Sequence, residues 1–91
     1  MRTVYKYPIQ LPETIVVGPV SKPLAIAEQN GSLVVWVEHD TDKPKGRLHL
    51  KRVGTGDMFD KQMFDCGEGT YLATVQRLGF VWHFYYAMEY V

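Results

Sequence analysis

Arg47, His49 and Lys51 alternate with Leu48 and Leu50 inside a run, residues 43–52, that holds five of the chain's ten basic residues and no acid. In an extended strand this alternation puts the three cations on one face. Several cationic donors on one surface suit a phosphate group. An aromatic ring close by, Trp36 or Trp82, would then stack a base. Arg47, His49, Lys51 and Trp82 are therefore the candidate ligand-binding residues. The competing reading is a solvated strand whose charges deter aggregation.

The other reactive side chains make weaker cases. His39, Asp40 and Asp42 are a cluster without a fixed ligand spacing, which reads as a polar hairpin loop and gives no metal site. Gly54-Thr55-Gly56 lacks both the Lys-Ser/Thr and the following helix of a phosphate loop, and reads as a hairpin turn. Cys66 sits between Asp65 and Glu68, acids that raise a thiol's pKa rather than activate it. His49 and His83 lie inside strand patterns, where a histidine is ordinarily a hydrogen-bonded packing residue. No nucleophile elbow, zinc-protease helix or carboxylate pair is present. The expectation is a non-enzymatic protein without a cofactor.

Composition narrows the partners. Ten basic residues balance ten acidic ones over 91 residues, and general binding to nucleic acid or to an anionic membrane needs a basic excess. The balance is a sum of unequal blocks, because residues 57–68 carry four acids against one base. The basic run has two possible uses: an anionic ligand, or the acidic segment of a neighbouring copy. Apolar residues make up 46%, too many for a disordered chain. The length suits one domain over residues 1–91. One cysteine excludes a disulfide framework. No apolar run reaches the ~18 residues of a membrane span, and the first residues lack a secretory apolar core. These features lead to the expectation of a protein of a reducing compartment.

Period-2 runs rich in Val, Thr, Tyr and Trp dominate, and no long 3.6-residue period survives the Gly and Pro interruptions. Strands are predicted over 3–7, 14–17, 24–29, 32–38, 47–53, 70–76 and 80–91. Asn30-Gly31 marks a two-residue hairpin, since both residues tolerate positive φ. Leu33, Val35 and Val37 on one face, with Val34 and Trp36 on the other, make the fourth strand a central one. Leu48 and Leu50 point inward. Residues 57–68 predict a short helical or irregular segment. The fold class is all-β: a small antiparallel sandwich or partly closed barrel of six to seven strands.

The last run has no breaker and holds six of the twelve aromatics. Twelve extended residues span ~40 Å, long for a domain of this size. Either the run is the central core strand, or its end projects into a partner. The second alternative makes Trp82, Phe84, Tyr86, Met88 and Tyr90 a homo-oligomer interface, for which aromatics and Met are suited.

Several blocks in fixed order carry a resemblance: MRTVYKYP at 1–8, QNG at 29–31, RVGTG at 52–56, YLATVQ at 71–76 and FVWH at 80–83. This pattern resembles a family of small proteins of tailed phages and prophages. Segment 57–69 and the tail beyond Tyr85 depart from that pattern. The resemblance implies a phage accessory protein acting in the cytoplasm of a bacterial host, and it supplies no catalytic residues. Its leading expectation is a binding protein that counters antiviral defence. Such a protein would inhibit a host immune protein, or sequester a nucleotide signal as a homo-oligomer. The alternatives are a minor structural or assembly protein of the phage particle, and a β-barrel that binds single-stranded nucleic acid.

Overall fold

β-Branched and aromatic residues at alternating positions favour a pleated, half-buried backbone, and the chain forms seven strands. They are β1 (Arg2–Pro8), β2 (Thr14–Gly18), β3 (Val20–Gln29), β4 (Ser32–Asp40), β5 (Gly46–Gly54), β6 (Thr70–Arg77) and β7 (Phe80–Tyr90). The computed structural model describes residues 1–90; Val91, expected at the end of the last strand, lies outside them.

The strands form two antiparallel sheets, β1-β4-β3 and β2-β5-β7-β6. They face each other as a sandwich and do not close into a barrel. β4 is central in its sheet, as its two apolar faces predict. Asn30 and Gly31 join β3 to β4 with φ of 52° and 83°, the positive values that this hairpin requires. Leu78 and Gly79 join β6 to β7 in the same way, with φ of 52° and 81°.

The core lies between the sheets. Val35 and Val37 meet Leu48, Leu50 and Phe84 there, with Val16, Val20, Ile26 and Leu33 around them. Burying each such side chain contributes about 1.5–3 kcal/mol, so these few residues carry much of the stability of a small domain.

Two expectations about connections change. His39 and Asp40 are not in a loop; they extend β4 and are buried. His39 accepts or donates a bond with the Tyr7 hydroxyl at 2.8 Å, and the Tyr5 ring meets it edge-on. Gly54-Thr55-Gly56 is a turn, but not a hairpin. β5 pairs with β7 rather than with β6, so this turn opens the long crossing 55–69. That crossing contains no helix. It is a strap of turns held by a bridge between Phe64 and Gly67 and by Gly69 N–H donating to the Lys61 carbonyl.

β7 pairs with β5 from Trp82 to Tyr90 and with β6 from Phe80 to Tyr86. The molecule's 40 Å long axis accommodates it. The core takes most of the residues expected at an interface. Phe84 is 1% exposed, and Trp82, Tyr86 and Met88 pack against the core. Only Tyr90, at 48%, presents a large surface.

Candidate functional site

The register of β5 separates the expected ligand-binding residues. Arg47, His49 and Lys51 share the outer face of the four-stranded sheet. Trp82 lies opposite Gly54 on β5, so it belongs to the inner face with Leu48 and Leu50. The structure brings the three cations together and leaves Trp82 on the far side of the sheet. Trp36 is on the other sheet altogether.

The outer cations are also occupied. Glu89 on β7 stands opposite Arg47. Its carboxylate lies 3.5 Å from Arg47 Nη1 and 2.9 Å from His49 Nε2. Hydrogen bonds from His49, and then from Arg47, hold Glu89 below the usual carboxylate range. His49 Nδ1 meets Glu13 at 3.3 Å. Lys51 Nζ donates to the Met63 carbonyl at 2.7 Å and stands over the Phe64 ring. The strap covers this face with its own apolar groups, Phe64 being 3% exposed and Phe59 packing on Tyr85. Of the basic run, Lys51 thus meets the strap of its own chain, while Arg47 and His49 meet Glu89 and Glu13. Within the strap, burial and then the Glu89 charge push the Cys66 thiol up.

His83 also faces outward. Its two ring nitrogens bond the hydroxyls of Thr55 and Thr74 at 2.8 and 2.9 Å, and Tyr71 bonds Thr74 in turn. This matches the hydrogen-bonded histidine expected at a strand position. Among the described residues no group of His, Cys, Asp or Glu is arranged to hold a metal ion.

The inner face carries two arginines instead. Arg52 follows Leu48 and Leu50 at the same period and pairs with Phe84. Its guanidinium centre lies 3.9 Å from the Trp82 ring, and Trp82 in turn stacks on Phe80 at 5.8 Å. Among the described residues no carboxylate comes within ion-pair distance of Arg52. Arg77 closes the same end of the sandwich from β6. Its Nε stands 3.0 Å from Glu28 on the opposite sheet, without hydrogen-bond alignment, and a terminal nitrogen donates to the Gly31 carbonyl. Between the sheets here is a cleft of about 200 Å³, with Ile9, Leu33 and Phe84 as its apolar wall and Arg52 and Arg77 as its cations. Among the described residues no acid lines it. Gly54 makes the Trp82 position possible, because a Cβ there would meet Trp82 at 3.2 Å and the Asp57 carboxylate at 2.7 Å.

The chain belongs to DUF7352, a domain of unknown function. The family's model matches residues 1–90. The DUF7352 description assigns no activity and carries no link to phages. Neither a curated protein nor a solved structure matches the chain.

Sequence reasoning missed Arg52 as a member of this cleft, although a signal was present. The alternation that turns Leu48 and Leu50 inward turns Arg52 inward as well. A cation in phase with core leucines, at the end of a strand, marks a charged group at the mouth of the core.

Proposed function

We propose that this protein is a non-enzymatic phage accessory protein that counters host defence by sequestering an anionic nucleotide signal. The carrying observation is the cleft where Arg52 and Arg77 stand against the apolar wall of Ile9, Leu33 and Phe84, with no acid among the described residues of its lining. A guanidinium group suits phosphate oxygens. The apolar wall, with the Phe84 ring in it, suits the flat face of a base. Arg77 is already paired with Glu28, so Arg52 is the cation of the cleft that is left for an anionic ligand. The phage setting rests on the sequence resemblance, and the mode of action rests on the cleft.

A volume of about 200 Å³ is below the usual ~300–1,000 Å³ of small-molecule pockets. The site therefore takes one phosphate and its adjoining base edge and leaves the rest of a larger nucleotide in solvent. Inhibition of a host immune protein is the other form of the counter-defence reading, and capture of a stoichiometric host complex would replace the nucleotide with that target. Occupation of the outer basic face by Glu89, Glu13 and the strap weighs against a single-stranded nucleic-acid groove.

The test is a thermal-shift and calorimetric screen of mononucleotides, cyclic nucleotides and inorganic phosphate. A nucleotide that binds the folded state raises the midpoint with its concentration. Arg52→Ala should lower that affinity at least tenfold, whereas Lys51→Ala should leave it unchanged. No midpoint shift with any nucleotide sinks the proposal.

A further inference from the structure

The two sheets end in four strand edges: β1 and β3 on one, β2 and β6 on the other. An open edge invites another strand, and natural proteins protect edges with charges, prolines and bulges. β3 has Lys22, Pro23 and two register shifts. β6 has a shift between Tyr71 and Ala73 and ends on Arg77, which is tied across to Glu28. β1 carries Arg2 and Lys6 and ends on Pro8.

β2 has none of these. It reads Thr14-Ile15-Val16-Val17-Gly18, with no charge, no proline and no irregularity in its pairing with β5. Ile15 and Val17 are 49% and 52% exposed on its solvent side. Among the described residues no backbone hydrogen bond outside the sheets reaches Ile15, Val16 or Val17.

We infer that β2 pairs with β2 of a second copy of this chain, antiparallel about a two-fold axis through Val16. The sequence is complementary to itself in that register. Ile15 falls opposite Val17 of the second copy, and Thr14 opposite Gly18, so β-branched apolar side chains meet and no like charges oppose. One residue further out, Glu13 falls opposite Pro19 rather than another acid, and its carboxylate is already engaged by His49. The two four-stranded sheets become one sheet of eight, with both β2 edges paired. This surface lies apart from the β7 residues, so dimerisation does not draw on the core. It also stands independently of the nucleotide reading, since the Arg52 cleft uses no β2 residue.

Sedimentation of the full chain across micromolar to millimolar concentration tests the inference. The expected mass is twice that of the 10.5 kDa chain at the upper end, falling toward one chain on dilution. Ile15→Lys and Val17→Lys, both at exposed positions, should each give a monomer with an unchanged circular-dichroism spectrum. A wild-type monomer at every concentration overturns the inference, as does a dimer that survives both substitutions. Should the lysine variants fail to fold, amide exchange on the wild type decides. Protection of β2 that rises with protein concentration supports the pairing, and protection independent of concentration overturns it.

Discussion

The two faces of β5 carry their charged groups to very different ends. On the outer face, Arg47, His49 and Lys51 look like a binding site in the sequence, yet each finds a partner in its own chain. Glu89 and Glu13 answer the first two, and the strap's Met63 carbonyl and Phe64 ring answer Lys51. On the inner face, a single arginine at the end of a leucine row stands over an indole, with no carboxylate at ion-pair distance among the described residues. The difference teaches that a cluster of charge is not yet a site. What matters is whether neighbouring segments supply carboxylates or other acceptors, and around β5 they do so on one face only.

The largest test of this contrast is on stability. Phe84→Ala, at the centre of the inner face, should cost about 3–5 kcal/mol, read as a lower urea midpoint. Phe64→Ala, buried by the strap on the outer face, should cost less, because the strap can settle into the space. Equal costs would mean that the strap is as much a part of the core as β7 is.

Next comes the arginine itself. Arg52→Leu should leave the fold within about 1 kcal/mol of wild type or more stable, because a leucine extends the apolar row while the cation–π contact is lost. A destabilisation well beyond that would make Arg52 a structural residue and remove the contrast.

A smaller effect comes from pH. Burial between Tyr5, Tyr7 and the core holds His39 below its ordinary 6.5. The unfolded chain therefore binds a proton near pH 6.5 that the folded chain refuses. Stability from this source is full above pH 6.5 and falls as pH drops from there toward the folded pKa. Urea midpoints from pH 8 to pH 5 should decline, and less steeply in His39→Gln. Glu89 and Asp40, both held low, act at more acid pH: their contribution is present above the ordinary carboxylate range and is lost as pH falls through their folded values. The smallest effect belongs to Arg47→Ala, a half-exposed ion pair whose loss should not measurably move the midpoint.

Much of the fold is legible in the residues. Period-2 alternation locates all seven strands, and the Asn30-Gly31 pair fixes one hairpin because few residue pairs accept two positive φ values. The internal position of β4 follows from its apolar faces. Leu78 at positive φ is less legible, since a bulky residue there is uncommon and the β6–β7 pairing holds it in place. The length of β3 is hidden too, because Lys22 and Pro23 read as a lead-in, whereas bulges let the strand absorb them.

The sequence by itself determined which side chains share a face, since alternation along a strand is a property of the backbone. It put Arg47, His49 and Lys51 together, and it put Arg52 with Leu48 and Leu50. Only the tertiary structure decided which strand lies beside which, and therefore which charges are cancelled. Pairing β5 with β7 sets Glu89 against Arg47 and brings Trp82 under Arg52, residues 42 and 30 positions apart in the chain. Long-range strand pairing follows from how two sheets share one core, and no local pattern contains it.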